Sequence, residues 1–409
     1  MKQQKTKKHI WIINQYAGKY DSGAAERSYF FAKYFAEKGY HTTIFSGSYN
    51  HLFIKQPEIK GTFTKEEVEP GIDFVWVKIP PYKGKSTVQR FYTQLLFAFR
   101  TAFIPLKNKT LPDYIISSSP SLFTSFSGWW IKRRAKAKKF IFEIRDLWPL
   151  SAVHLLHLSE YHPVVLFMDI FEWIGYKKSD EIVTLLPYAY KHIRKFNVPE
   201  EKVTWISNGI EEELIGREPL PAEIESMLPK DKFIIGYTGA MGIANALEFF
   251  VEAARYVKNP DIHFVLVGDG YEKSRLMEMA KASDNVTFIP KIKKTQVQSM
   301  LKKFDVCYIG RHDVDLFDYG VASNKYFDYM LAEKPVLVSS RKIKDPVELS
   351  GCGIIVEPEN PKAIAEGVEE FYRMSPEERQ AMGMKGYEYV KKYHNFYYLT
   401  DKYIRVFEK

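Results

Sequence analysis

YGVASNKYFDYMLAEKPVLVSS, from Tyr319 to Ser340, reads as a glycine-containing loop, a helix over about 324–333, and a buried strand opened by Pro335. Ser323 or Asn324 is placed to cap that helix, which leaves its first N–H groups free to face an anion. The helix dipole makes the same spot mildly positive, and Lys325 adds a full charge to it. One turn further on, Asp328 falls on the face of Asn324 and Lys325, a carboxylate suited to gripping vicinal hydroxyls. Phosphate donors followed by a diol acceptor are what a sugar nucleotide asks for. An ordinary strand–helix unit with a capped helix spells the same letters, so the stretch alone leaves both readings open.

Working outward, the stretch closes a run of alternating strand and helix signals. FIIGYTGAMG, IHFVLVGDG, NVTFIP and VCYIG are strand-like, and ANALEFFVEAARYV, YEKSRLMEMAKA and TQVQSMLKKF are helix-like. Such alternation implies a parallel sheet. The amino-terminal half uses the same grammar. HIWIINQYA is a buried strand, a loop with Gly18 and Gly23 follows, then a helix stopped by Gly39 and the strand HTTIFSGS. This βαβ opening is Rossmann-like, but the loop lacks the G-x-G-x-x-G spacing of a dinucleotide site. Gly23 is open to two readings, plain turn geometry or a place beside a bound phosphate. Glu26 and Arg27, at the helix start, face either a cleft or solvent.

A second informative stretch is FIFEIRDLWPLSAV, in which a buried strand delivers Glu143, Arg145 and Asp146 at its carboxyl end. Open α/β sheets bind ligands at that end. A structural Arg–Asp pair is the plainer alternative.

The S-N-K-x-x-D-Y-M run followed by K-P-V resembles the donor-binding helix of glycosyltransferase family 4, the retaining GT-B enzymes. Within it, the resemblance is to the branch that builds bacterial O-antigen and capsule, with fucosamine-type sugar transferases among its members. Most of that family carries Glu-x7-Glu here; Gly320 stands at the first glutamate and Asp328 at the second. R-D-L-W-P occurs in the same branch, where many relatives have a His–Asp pair, so Arg145 takes the place of that histidine. The resemblance implies a GT-B fold, two Rossmann-like domains whose parallel sheets face a central cleft. It implies a nucleotide-sugar donor, most often UDP-linked, held by Gly23, Lys291, Arg311, Ser323, Asn324, Lys325 and Asp328. Lys325 would serve the departing diphosphate, Asp146 the acceptor's orientation or proton, and Arg145 with Glu26 an acceptor or phosphate. In retaining GT-B enzymes the leaving phosphate itself can take the acceptor proton, so no side-chain base is required. The family's usual diphosphate-binding Arg and Lys are missing from the loop TGAMGIANAL.

Asn208-Gly209 matches the family's N-G-[IV] boundary. The expected division is an acceptor-binding domain over 1–208 and a donor-binding domain over 209–389, with a final helix of about 390–409 packing back on the first. The acidic, proline-punctuated segment EEELIGREPLPAEIESMLPKD reads as the interdomain linker.

The chain's 409 residues suffice for two cores, and 45% hydrophobic with 27% charged residues is the balance of a globular protein. Two cysteines, Cys307 and Cys352, exclude a disulfide framework and have no metal spacing. No leader or membrane-spanning run is legible, so a cytoplasmic location is expected. A formal charge of +9 suits nucleic acid, an anionic membrane or phosphorylated ligands.

The placement of that charge favours the membrane. Lys83 to Lys109 carries Phe91, Leu95, Leu96, Phe99 and Phe103 at helical spacing between basic margins, and Trp129 and Trp130 precede Lys132, Arg133 and Arg134. That is the pattern of a peripheral, interfacial face, although a core helix flanked by bases looks similar. The expected partners are therefore a UDP-sugar, a lipid-linked saccharide acceptor and the anionic inner face of the cytoplasmic membrane, with no nucleic acid, metal or other cofactor. The competing readings are a metal-dependent transferase using the D-x-D triplet Asp313-Val314-Asp315, transfer to a soluble acceptor, and a basic nucleic-acid binder.

Overall fold

A computed structural model describes residues 7–22, 26–82, 87–107, 110–212 and 215–409. Two compact units divide the chain. The first runs to Gly209 and takes in Phe396–Lys409; the second is Ile210–Asn395.

The first unit is built on an eight-stranded sheet. Its strands are β1 (His9–Ile13), β2 (His41–Gly47), β3 (Phe63–Glu69), β4 (Ile72–Val77), β5 (Tyr114–Ser118), β6 (Lys139–Ile144), β7 (Glu181–Thr184) and β8 (Val203–Trp205). They lie in the order β3-β4-β2-β1-β5-β6-β7-β8. All pairs are parallel except β3 on β4. β1, β4 and β5 are buried along their whole length, as strands of a sheet covered on both faces must be. Ile12 lies opposite Ile44 on one side and Ile116 on the other, so the apolar runs meet in register.

The second unit holds a six-stranded, all-parallel sheet of β9 (Phe233–Ala240), β10 (Ile262–Asp269), β11 (Val286–Ile289), β12 (Val306–Gly310), β13 (Val336–Ser339) and β14 (Gly353–Val356). Their order is β11-β10-β9-β12-β13-β14. One core flanks each face. Along β12, Cys307 and Ile309 enter one core while Val306 and Tyr308 enter the other, the period-two alternation of a strand buried twice. Cys307 and Cys352 are both buried, unpaired thiols.

Two segments depart from their sequence reading. The acidic stretch after Asn208 is not a bare linker. Ile215, Leu220, Ile224 and Leu228 pack on the second unit's core, and Ala222–Ser226 is a short helix. Isolated apolar residues among prolines carry no periodicity, so this docking leaves no pattern to read. At the other end, the helix Pro376–Tyr393 stays in the second unit, and the chain changes unit between Asn395 and Phe396 rather than near residue 390. Buried His394 lies against the ring of Phe327 at 4.8 Å, and Ile210 bridges to Asn395, which fixes the change there.

The last helix, Phe396–Glu408, buries Phe396, Leu399, Tyr403, Val406 and Phe407 on one face. Within the first unit, Tyr403 meets Phe31 at 4.8 Å and Phe407 stacks on Tyr114 at 4.6 Å. Spacings of three and four along this helix make that face, and aromatic area supplies its adhesion.

Candidate active site

The helix quoted at the outset runs from Asn324 to Leu331, two residues shorter than its sequence suggests, with Ser323 in the N-cap position. The Ser323 side chain makes no capping bond. Tyr326, Phe327, Tyr329 and Met330 are buried on its inner face. The Tyr329 hydroxyl accepts from the Thr238 N–H at 3.0 Å and fastens the helix to the carboxyl end of β9. Lys325 and Asp328 are thereby left half-buried, on the opposite side from the core.

Lys325 lies across the end of β9. Its Nζ donates to Asn245 Oδ1 at 2.9 Å and stands 5.3 Å from the Tyr237 ring. Asn245 is itself fixed, its Nδ2 donating to the Ala240 carbonyl at 2.9 Å. Gly239 has φ +146°, so the backbone favours glycine there, and a Cβ, 2.6 Å from Lys325 Cε, would push the lysine aside. Burial, with the Arg311 charge adding to it and Asp328 opposing, lowers the Lys325 ammonium to about 8. Asp328 moves the other way. Burial lifts its carboxyl to about 6, against Lys294 and Lys325. An ammonium and a carboxylate, both short of hydration, stand one helical turn apart, poised for a ligand that carries an anion and hydroxyls.

Arg311 does not stand beside them as a free cation. It is buried, and its Nη2 donates to the Tyr326 hydroxyl at 2.9 Å, which in turn donates to Asp345 Oδ2 at 2.6 Å. Asp345 also caps the helix Pro346–Ser350 through the Val347 and Glu348 N–H groups. This relay fixes the residue after Lys325. Lys291 is exposed after β11. Gly23 lies outside the described residues.

The D-x-D triplet has an occupant. Arg341, in the loop after β13, binds Asp313, Asp315 at 3.0 Å and Asp318 at 3.1 Å, and these hydrogen bonds raise its own proton affinity. Asp313 and Asp315 therefore meet a guanidinium. Among the described residues no group of three or more His, Cys, Asp or Glu could hold a metal ion.

In the first unit the carboxyl end of β6 carries the second motif. Asp146 is exposed and Arg145 half-buried, the Arg145 N–H donating to Ser119 Oγ at 2.7 Å. Surrounding protein raises the Asp146 carboxyl, opposed by Arg145, and burial lowers the Arg145 guanidinium. Glu143 turns inward instead. It is buried against Arg27, with Nη2 to Oε2 at 3.0 Å, and accepts from Ser118 Oγ at 2.7 Å and from the Tyr403 hydroxyl. Arg27 also donates to the Ile206 carbonyl at 3.0 Å and to that of Ser207. Arg27 thus belongs to the interior, and Glu26 occupies the N-cap position beside it.

The basic aromatic segments form the helices Thr87–Ala102 and Thr124–Ala135. Phe99 and Phe103 are exposed, whereas Phe91 turns in to meet Phe123 at 5.1 Å. Trp129 and Trp130 are half-buried. Two of the three cations of the cluster are engaged within the unit. Lys132 holds Asp180 at 2.6 Å, and Arg134 donates to the Ala102 carbonyl at 2.7 Å, while Arg133 lies 5.7 Å from the Trp129 ring. The helix Pro163–Lys178 presents exposed Leu166, Phe167, Ile170 and Trp173 and ends in exposed Lys177 and Lys178. Phe167 lies 6.2 Å from Phe91, so this ridge borders the first helix. An apolar-rich sequence does not by itself tell an outward face from an inward one. No helix among the described residues is long and apolar enough to cross a membrane.

Residues 22–214 match the family described as Glycosyltransferase Family 4, and residues 232–374 that described as Glycosyl transferases group 1. The chain is 26% identical over 320 residues to WcaI of Escherichia coli K12, a glycosyl transferase provisionally named for colanic acid biosynthesis; the match covers 73% of this chain and 76% of WcaI. Among solved structures, a sucrose-phosphate synthase from Thermosynechococcus elongatus superposes with a TM-score of 0.74 at 16% identity, over 98% of each chain. HepE from Anabaena, solved in complex with UDP and glucose, gives a TM-score of 0.66 at 11% identity, over 98% of this chain and 99% of its own. At these identities the likeness is one of fold, the GT-B class with two parallel-sheet α/β domains.

Proposed function

We propose, from the premise that this chain is a glycosyltransferase of family 4, that it moves a sugar with retention from a nucleotide diphosphate, UDP-linked, to a lipid-borne glycan in bacterial surface polysaccharide synthesis. The observation that carries the donor half is the desolvated Lys325 ammonium at the end of β9, with Asp328 one turn away. In this reading the ammonium and the first N–H groups of the helix neutralise charge gathering on the departing diphosphate, and Asp328 accepts hydrogen bonds from a diol of the donor. Asp146 orients the acceptor and Arg145 contacts a phosphate. HepE, solved with UDP and glucose, supports a UDP donor, and WcaI, named for colanic acid biosynthesis, supports a surface polysaccharide.

Transfer proceeds without a metal in this proposal, since Arg341 already supplies the charge that faces Asp313 and Asp315. Calorimetry with UDP and GDP tests the donor site. Asp328→Asn should weaken UDP binding by roughly 1–3 kcal/mol, because its amide offers one acceptor oxygen where the carboxylate offers a diol two. Wild-type affinity should fall in the same way as pH drops through about 6, where Asp328 takes up a proton. Binding and turnover should both survive EDTA. Unchanged affinity in the variant removes Asp328 from the site, and magnesium-reversible inhibition restores the Asp313/Asp315 reading.

The acceptor half places the enzyme on the anionic inner face of the cytoplasmic membrane. Its support is the exposed ridge of Phe99, Phe103, Leu166, Ile170 and Trp173, with Lys177 and Lys178 at its end. Apolar side chains enter the interface and lysines meet lipid phosphates. The protein should pellet with anionic vesicles and be released by salt. A Phe99→Ser/Phe103→Ser/Ile170→Ser triple variant should lose more than about tenfold in vesicle affinity, given roughly 1.5–3 kcal/mol for each large apolar side chain buried. UDP binding should be spared. Reversing Lys132 or Arg134 is a poorer test, because both hold the unit together. Vesicle binding that the triple variant retains in full would transfer the acceptor to solution.

A further inference from the structure

His312, in the loop after β12, has both ring nitrogens committed. Its Nδ1 lies 2.6 Å from Glu359 Oε1, and its Nε2 lies 2.9 Å from the Ile243 carbonyl. A carboxylate and a carbonyl are both acceptors. A neutral imidazole carries one N–H and can satisfy one of them, whereas the imidazolium satisfies both. Glu359 reaches this position with φ +56°, a left-handed backbone uncommon for a residue other than glycine, asparagine or aspartate. The backbone therefore carries strain at the residue that delivers the carboxylate.

What the imidazolium holds is the loop that carries Asn245. Ile243 to Asn245 form a single 3-10 turn, and the Ile243 N–H donates to the Tyr271 hydroxyl at 3.0 Å while its carbonyl takes the His312 bond. Two residues on, Asn245 Oδ1 accepts from Lys325 Nζ. A chain of three contacts, joined by the Ile243–Asn245 turn, thus runs from Glu359 through His312 and Asn245 to the Lys325 ammonium.

We propose that His312 is a positioning residue of the donor site, which as an imidazolium clasped by Glu359 fixes the Ile243–Asn245 turn and so the place of Lys325. The inference rests on the donor-site reading above. Three acidic residues on the elements that carry or flank the clamp have partners of their own. Asp313 is held by Arg341, Glu357 accepts from Asn360 at 2.7 Å, and Glu248, on the helix that sets the Phe249 ring 6.1 Å from His312, pairs with Arg275 at 3.5 Å. Removing the ring proton breaks one of the two bonds and frees either the turn or Glu359.

UDP titrations of the full chain, run on wild type and variants at one pH, test the clamp. His312→Ala should weaken UDP binding about five- to tenfold, the size of one ordinary hydrogen bond. Glu359→Gln is the discriminating change. Its amide N–H can donate to Nδ1, so a neutral ring with its proton on Nε2 keeps the Ile243 bond, and UDP binding should stay close to that of wild type. Nitrogen-15 NMR should show both His312 nitrogens protonated in wild type and one of them in Glu359→Gln. A single protonated nitrogen in wild type, or a folded His312→Ala that binds UDP as wild type does, would overturn the proposal. A wild-type chain that binds no UDP at all would instead sink the donor-site reading, and the clamp's function with it.

Discussion

Lys325→Ala should lower turnover by about a hundred- to a thousandfold while moving the Michaelis constant only a few-fold, the loss expected on removing one fixed donor from a developing oxyanion. The reason lies in when the charge is needed. A nucleotide diphosphate is already anionic when bound, but the oxygen that leaves the sugar gains its charge only as the bond breaks, and an ammonium held by Asn245 is already in place to meet it. The pH dependence has a defined sign. Lys325 sits at about 8 in the free protein, so kcat/KM should decline as pH rises through about 8 and the ammonium loses its proton. A bound diphosphate favours the charged form, so the corresponding limb of kcat should lie at higher pH. The alanine variant should show neither limb. Ordinary turnover with a raised Michaelis constant would make Lys325 a residue of ground-state binding alone.

Glu143→Ala should cost about 3–5 kcal/mol of stability, the penalty for stripping one partner from a buried ion pair. Glu143 joins four segments of the first unit at one carboxylate. Arg27 comes from the first helix, Ser118 from the end of β5, and Tyr403 from the last helix, while Arg27 carries the link on to the carbonyls after β8. Without the carboxylate, the Arg27 guanidinium keeps those carbonyls and the Phe31 ring but no counter-charge of its own in a buried site. Thermal or urea unfolding reads the loss, and proteolysis should find the helix Phe396–Glu408 first. Burial pushes the Glu143 carboxyl up, but the Arg27 charge and the hydrogen bonds from Arg27 and Tyr403 outweigh it and hold its proton affinity below the usual range. A group so depressed contributes stability above its unfolded value, near 4.3 for glutamate, and loses it as pH falls through the lower folded value. Acid unfolding that is unchanged in the variant, or a stability loss under about 1 kcal/mol, would contradict this account.

Local patterns fared differently from distant ones. V306-C-Y-I-G310 announced a strand buried on both faces because every residue in it is apolar or small, and the two cores divide those residues alternately. S-N-K-x-x-D placed a cation and a carboxylate on one helical face because that spacing is a property of the helix itself. Phe91 shows the limit. Its periodicity matched that of Phe99 and Phe103, yet it turns inward onto Phe123 while they face outward, since periodicity defines a stripe and not what lies against it. Arg311 and Arg27 show the same limit for charge. Each looked available as a cation, and each is buried on a partner that only the fold supplies.

The sequence by itself determined two α/β halves, the helix that bears Lys325 and Asp328, and the strand end that bears Arg145 and Asp146, because strand and helix periods and caps act over a few residues. Tertiary structure alone decided the partners. Asn245 is 80 residues from Lys325, Glu359 is 47 from His312, and Glu143 is 116 from Arg27. Arg341 likewise closes on Asp313 from 28 residues away. Hydrogen bonds and ion pairs depend on distance in space. Parallel strands place their carboxyl ends side by side whatever the chain length between them, so the chemistry of this protein is set by neighbours that the linear order keeps apart.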